Sequence, residues 1–447
     1  MNNIDATYMR LALKLAARGA GWVSPNPMVG AVVVKDGLIV GKGYHRRVGA
    51  PHAEVEALRR AGDAARGADL FVTLEPCNHQ GRTPPCTRAV LEAGVRRVVC
   101  ATLDPNPRVA GNGAAFLAGH GVAVEDGLLA TEARRLNEAW FKWVETGLPF
   151  VIAKAACSLD GKIATVGGES QWLTGEAARA HGHRLRQECD AILVGIDTVL
   201  TDDPQLTTRL GGGKGKELGR GDQGPWAPTH FLKLSPPTPD VDVSGTGVPV
   251  QDAEIPLINV AQPPPAVLSA DRGKHLLEIA ENRKPRTENR LSKDPIRIVL
   301  DSRLRIPLTA RLLHLNSPAP TWVACTREAP KEKIRAIKEL GAEVLVFPPE
   351  SGRVPLKPLL ELLGRQQMQS VLVEGGAQVL GAFFEARLVD KFYFFYAPLF
   401  LGGQDAPGVL GGPGIPRLKD APRARDLAVR RFGKDLLISG YLQFNRS

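Results

Sequence analysis

Six cysteines in 447 residues are far too few to staple a disulfide scaffold. No uninterrupted apolar run reaches the ~18 residues that a membrane span needs. The longest, Phe392 to Leu401, is short and contains Pro398. A signal-peptide core is also missing, because Asp5, Arg10, Lys14 and Arg18 break the first segment. Tyr8, Leu11, Ala12 and Leu15 fall instead on one helical face. An Arg-bearing amphipathic start can imitate a mitochondrial presequence, but a plain first helix and a cytoplasmic location are the expectation. No GxGxxG follows a strand, so a dinucleotide-binding Rossmann unit is not indicated. No internal repeat is visible. The charge excess is mild: 57 basic residues against 47 acidic give +10, which suits an anionic small molecule or a nucleic acid and does not choose between them.

Apolar residues are plentiful at 43%, enough for large cores. Glycine (47) and proline (35) are in excess, so long loops are expected. The length suggests about three domains, or two plus an insertion. The first part alternates helices and strands. A helix runs from Asp5 to Arg18, then a hairpin, Ala31–Val34 and Leu38–Val40, turns at Asp36-Gly37. A helix starts at Pro51, a strand covers Asp69–Leu74, a helix Thr87–Glu92 and a strand Val95–Ala101. Gly147-Leu148-Pro149 reads as a junction. Beyond it, strands are expected at 150–156, 191–195, 296–300, 321–325, 343–347, 370–374, 391–397 and 436–442. Helices are expected at 176–186, 331–340 and 378–385. Residues 211–294 have no sustained period and read as a flexible insertion with one short helix at Lys274–Ala280. Their basic residues are mixed with acids and few aromatics, which favours a solvated loop over a nucleic-acid surface.

Pro51-His52-Ala53-Glu54 sits at an expected helix start. Downstream come Cys77 and, after eight intervening residues, Cys86. One imidazole and two thiolates are a donor set for tetrahedral zinc with one open position. Each cysteine precedes or opens an expected helix, where the dipole favours thiolate. Glu54, two residues from a ligand, is placed to shuttle protons without binding metal. Zinc deaminases carry H-x-E followed by P-C-x-x-C. The longer spacing here, TLEPCNHQGRTPPC at 73–86, resembles the pyrimidine deaminase of riboflavin biosynthesis. The likeness extends to Pro25–Gly30, Gly43–His45 and Asp104–Pro107. That resemblance implies Asn26, His45, His79 and Arg82 as the substrate pocket, with His79 and Arg82 on a phosphate. By themselves, His45 also reads as a hydrogen-bonded surface residue and Asn26 as a turn residue.

The second part offers Lys154, Ser158–Lys162, Gly168–Trp172, Asp202–Pro204, Leu300–Ser302 and Val373–Ala377. The last is a strand running into glycines and a helix, a place where backbone can approach phosphate. Together these segments resemble the reductase domain of riboflavin biosynthesis, which has a dihydrofolate-reductase-like fold and uses NADPH. The resemblance implies that Ala156, Trp172, Thr198, Asp202, Ser302 and the run Gly376, Ala377, Gln378, Val379, Leu380, Gly381 and Ala382 contact the cofactor. It implies Ser170, Arg186, Leu206, Arg209 and Glu374 on the sugar-phosphate substrate, with Lys154 beside them. Without it, Trp172 reads as core, Arg186 as a solvated helix face and Arg209 as a loop charge. Lys154 either polarises the reacting sugar carbon or pairs with a carboxylate.

The expectation is an α/β protein of two parts. Residues 1–147 form a cytidine-deaminase-like three-layer α/β/α domain holding one Zn2+. Residues 148–447 form the NADPH-dependent reductase domain with the insertion. The ligand is a pyrimidine ribosyl phosphate; no nucleic acid or membrane is expected, and the chain assembles as a homo-oligomer, dimer or tetramer. Two rivals stay open: a single-function zinc deaminase, and an RNA-editing deaminase suggested by the positive charge.

Overall fold

The computed structural model describes residues 3–80, 84–106, 112–210 and 293–444. Arg82 and the insertion up to residue 292, with its expected helix at Lys274–Ala280, lie outside the described residues. Two sheets organise the rest. The first is built from β1 (Gly30–Lys35), β2 (Leu38–Tyr44), β3 (Asp69–Val72), β4 (Arg97–Cys100) and β5 (Ala123–Glu125) in the order β2-β1-β3-β4-β5. Strand β1 is antiparallel to β2 and β3, and β3, β4 and β5 run parallel. Asp36 and Gly37 both take positive φ, +50° and +76°, as the tight hairpin turn between β1 and β2 requires.

The strand period of two sorts β1 between two cores. Ala31 and Val33 pack against α2 (Ala53–Ala61), α3 (Cys86–Glu92) and α4 (Asn112–Gly119). Val32 and Val34 face α1 (Asn3–Ala16) and α5 (Ala130–Leu136). This is a three-layer α/β/α arrangement. Gly41 and Gly43 let α2 lie directly on β2: a Cβ at either would come within 2.2–2.3 Å of the Ala57 or Ala53 carbonyl oxygen. The helix expected to begin at Pro51 begins at Ala53, with His52 at its N-cap.

The second half begins with β6 (Phe150–Ser158), α7 (Glu176–Glu188), β7 (Ala191–Gly195) and α8 (Ile196–Asp202). It resumes with β8 (Ile296–Leu300), β9 (Thr321–Thr326), α9 (Lys331–Glu339), β10 (Glu343–Phe347), α10 (Leu356–Arg365) and β11 (Ser370–Val373). It ends with α11 (Ala377–Glu385), β12 (Lys391–Ala397), β13 (Arg423–Phe432) and β14 (Asp435–Gln443). The nine-stranded order is β10-β9-β8-β7-β11-β6-β12-β14-β13, parallel up to β12 and antiparallel at β14 and β13. Helices cover both faces, as a mostly parallel sheet demands.

Several elements depart from their sequence signals. Helices α4 and α8 and strands β5 and β13 have no clear periodic pattern, whereas α10 lies outside the expected helices although Leu356, Leu359, Leu360 and Leu363 recur at helical spacing. Strand β13 is an exposed, arginine-rich edge, where charge replaces the usual alternation. Among the described residues no helix is long and apolar enough to cross a membrane.

The two halves are fastened through α6 (Glu138–Thr146). The Lys391 ammonium pairs with the buried Glu138 carboxylate at 2.8 Å, and Tyr441 donates its hydroxyl to the same group. Lys142 pairs with Asp390 at 2.5 Å, and the Trp143 indole N–H donates to the Gly364 carbonyl at 2.9 Å. Helix α10 meets the junction where a Cβ on Gly364 would lie 1.8 Å from the Gly147 carbonyl oxygen. Gly364→Ala should therefore destabilise the chain by about 1–3 kcal/mol, because backbone on both sides must move. A thermal melt checks it; an unchanged Tm contradicts so close an approach.

Candidate active sites

In the first half, α2 presents His52 and Glu54 toward the loop after β3 that carries Cys77. His52 Nδ1 lies 3.2 Å from Cys86 Sγ and 3.5 Å from Cys77 Sγ. The three donor atoms fall within 4.8 Å of one another. Cys86 opens α3 as expected, but Cys77 does not open a helix. It gains the helix terminus indirectly, because the Cys86 amide donates to Cys77 Sγ at 3.4 Å. The Cys86 side chain and then His52 hold the Cys77 thiol below its ordinary range, while Cys77 and burial push Cys86 up. Two buried thiols this close ionise together only around a cation. One imidazole and two sulfurs fit zinc with a position to spare.

Glu54 is 3% exposed, and its Oε2 has no hydrogen-bond partner among the described residues. Burial pushes its carboxyl up to about 7, with Cys77 adding and His52 opposing. A buried acid near neutrality, adjoining a metal-type donor set, can both take and return a proton. His45 is buried beside it, its ring edge-on to His52 at 5.3 Å. Its Nδ1 faces the Pro51 carbonyl at 3.2 Å and must carry the proton there. Nε2 then accepts from the Asn26 amide at 3.1 Å. Burial lowers the His45 pKa, consistent with this neutral form. The structure thus joins Asn26 and His45 at the donor set. His79 is exposed on the Cys77 loop, and Arg82 lies outside the described residues.

One residue of this site gave no signal of its kind. The Glu75 carboxylate accepts amides from Asp104 (3.1 Å), Gly113 (2.9 Å) and Ala114 (2.9 Å), tying the start of α4 to the loop of Cys77. Its partners are backbone groups about 30 or more residues away, invisible to spacing rules.

In the second half, parallel pairing of β6, β11 and β7 brings Lys154 and Glu374 together. Glu374, its side chain only 8% exposed, accepts Arg186 Nε and Nη2, both at 2.8 Å, and Lys154 Nζ at 3.3 Å. Burial alone would raise this carboxyl, but Arg186 and then Lys154 hold it well below the usual carboxylate range. Arg186 is therefore a buried partner of Glu374 rather than a solvated helix charge, and Lys154 does pair with a carboxylate. Arg209 is exposed nearby, its amide donating to His183 Nδ1 at 3.3 Å. Burial, then Arg186 and Arg209, lower His183 to about 4, so it stays neutral. Sequence reasoning missed His183. Leu206 is core, with positive φ and a buried side chain.

The expected cofactor residues ring the same strand ends. Gly376 donates its amide to Thr198 Oγ1 at 3.1 Å. Asp202 accepts the Gln171 amide at 3.4 Å and the Ser170 hydroxyl at 3.5 Å. Trp172 is 67% exposed, with the Arg179 guanidinium 4.8 Å above its ring, so it is no core residue. Ala156 is half-buried on β6, and Ser302 Oγ accepts the Val354 amide at 3.2 Å. Glycine is required at 375: a Cβ there would meet Val379 at 2.8 Å. Along α11, Gln378 is exposed, Ala377, Val379 and Ala382 are half-buried, and Leu380 and Gly381 are buried. The opening turn, where helical N–H groups lack intrahelical partners, is what a phosphate could reach.

Comparison with known proteins accounts for both sites. A family model described as the cytidine and deoxycytidylate deaminase zinc-binding region matches residues 2–102. One described as the RibD C-terminal domain matches residues 149–438. The riboflavin biosynthesis protein RibD of Escherichia coli is 38% identical over 434 residues, 97% of this chain and 98% of that one. Its Bacillus amyloliquefaciens counterpart is 36% identical over 436 residues, 98% and 96% of the two chains. Among solved structures, Acinetobacter baumannii RibD superimposes with a TM-score of 0.73 at 33% identity, covering 98% of this chain and 99% of that one. A Thermotoga maritima diaminohydroxyphosphoribosylaminopyrimidine deaminase/5-amino-6-(5-phosphoribosylamino)uracil reductase gives 0.69 at 29% identity, with the same coverage. With both halves matched over nearly the full length, the chain belongs to the RibD family of riboflavin biosynthesis proteins.

Proposed function

We propose that the chain performs two successive steps on one pyrimidine ribosyl phosphate. Residues 1–147 deaminate 2,5-diamino-6-ribosylamino-4(3H)-pyrimidinone 5′-phosphate by hydrolysis. Residues 148–447 then reduce its ribosyl group with NADPH, giving 5-amino-6-ribitylaminouracil 5′-phosphate. The observation that carries this reading is a buried, unpartnered Glu54 oxygen beside the His52–Cys77–Cys86 donor set, in a chain that holds a second, cation-rich site. Membership of a family with these two activities favours the free pyrimidine over RNA.

His52, Cys77 and Cys86 would hold zinc, which would supply Lewis acidity to the water that attacks the ring carbon bearing the amino group. Glu54 takes a proton from the attacking water and returns it to the departing ammonia. Asn26 and His45 orient the ring, and His79 and Arg82 take the phosphate. In the second step NADPH supplies the hydride. Ala156, Trp172, Thr198, Asp202, Ser302 and residues 376–382 hold the cofactor. Ser170 and Arg209 hold the sugar phosphate, and Leu206, whose side chain is core, can offer it only backbone. Glu374 fixes Arg186 and Lys154, and the Lys154 ammonium keeps further N–H donors for the sugar. We place the enzyme in the cytoplasm, as six cysteines outside any disulfide suit. We also infer a homo-oligomer, dimer or tetramer.

Two tests follow from this assignment. His52→Ala, Cys77→Ser or Cys86→Ser, or a chelator on the parent, should abolish zinc content and ammonia release. NADPH oxidation on separately supplied deaminated substrate should persist. Full zinc content in Cys86→Ser refutes the ligand set. Arg209→Ala should raise the reductase KM about ten-fold or more, as loss of a charged phosphate contact does, with little effect on deamination. Equal effects on both activities contradict its placement.

A further inference from the structure

The deaminase pocket wall is not held by the deaminase half alone. Residues 20–26 run along the second half. The Gln369 side-chain amide donates to the Pro25 carbonyl. At Gly21, with φ +77°, a Cβ would lie 2.6 Å from the Gln187 carbonyl oxygen at the end of α7. Gln369 is itself immobilised. It is 5% exposed, its backbone amide donates to Asp190 Oδ2 at 2.9 Å, and its backbone carbonyl accepts the Phe150 amide at 2.7 Å. Asp190 is pinned in turn by the Lys293 ammonium at 3.4 Å and by Ser370.

A cavity of about 50 Å³ adjoins the segment, lined in part by Ser24, Asn26, Asn137, Trp140, Asp190 and Gln369. The next residue after Pro25 is Asn26, whose amide fixes His45 against His52.

We infer that Gln369 is a positioning residue for deamination: from the reductase half it sets the Pro25–Asn26 segment, and through it the Asn26–His45 pair in the deaminase pocket. This rests on the reading of Asn26 as a pocket residue. The first reaction therefore depends on a side chain that belongs to the domain of the second. Among the described residues, the hydrogen bonds of Lys154 and Arg186 to Glu374 do not include the Gln369 side chain.

The test uses the full-length, zinc-loaded enzyme. Gln369→Met keeps length and removes the donor; Gln369→Glu replaces the donor with an acceptor facing a carbonyl. Gln369→Met should raise the deaminase KM about five-fold, the effect of one neutral hydrogen bond, and Gln369→Glu at least as much. Zinc content and the reductase kinetics on deaminated substrate should match the parent. Asn26→Ala should raise the same KM, and Asn26→Ala with Gln369→Met should be no worse than Asn26→Ala alone, since both act through one group. If Asn26→Ala raises KM while both Gln369 variants match the parent, the bracing is overturned and the pocket reading stands. If Asn26→Ala leaves KM unchanged, the pocket reading falls and the proposal with it. Additive effects in the double variant, or parallel losses of deamination and reduction, also overturn it.

Discussion

Two thiols and an imidazole are gathered within 4.8 Å in a partly buried pocket, and such a group is stable only when a cation balances the thiolates. Much of the first half serves that gathering. Gly41 and Gly43 let α2 lie close on β2, so that its N-terminus delivers His52 and Glu54 together. Glu75 ties the Cys77 loop to α4, and α3 begins at Cys86 itself. The same placement that crowds the sulfurs strips water from Glu54 and lifts its carboxyl toward neutrality. One constraint on buried charge yields both a metal site and a proton carrier.

The second half meets the rule of buried charge differently. Here the partner is built in: Glu374 neutralises Arg186 and half-satisfies Lys154. Two cations, Lys154 and Arg186, share one carboxylate, and His183 stays neutral close to Arg186 and Arg209. The surplus is positive, as a phosphate-bearing substrate requires.

Much of this was legible in the sequence. The order of His52, Glu54, Cys77 and Cys86 pointed to zinc chemistry, and apolar runs such as Ala191–Gly195 and Ile296–Leu300 marked central strands correctly. Such signals are local, set by spacing or by continuous burial. What remained hidden depends on distant pairing. Arg186 looks like one more charge on a polar helix until β6, β7 and β11 bring Glu374 beneath it. Glu75 and Gln369 bind backbone groups from other elements, and a backbone acceptor leaves no trace in side-chain patterns. Strand β13 escaped because an exposed edge needs no apolar alternation.

Both chemistries must meet on one molecule for the two sites to form a single enzyme. The most direct measurement is stoichiometry: complete conversion of the diaminopyrimidine ribosyl phosphate, with ammonia and oxidised NADPH counted together. The two-step account predicts one ammonia and one NADPH per substrate molecule. Ammonia released in full with no NADPH consumed would contradict it and leave a deaminase carrying a second domain without catalysis.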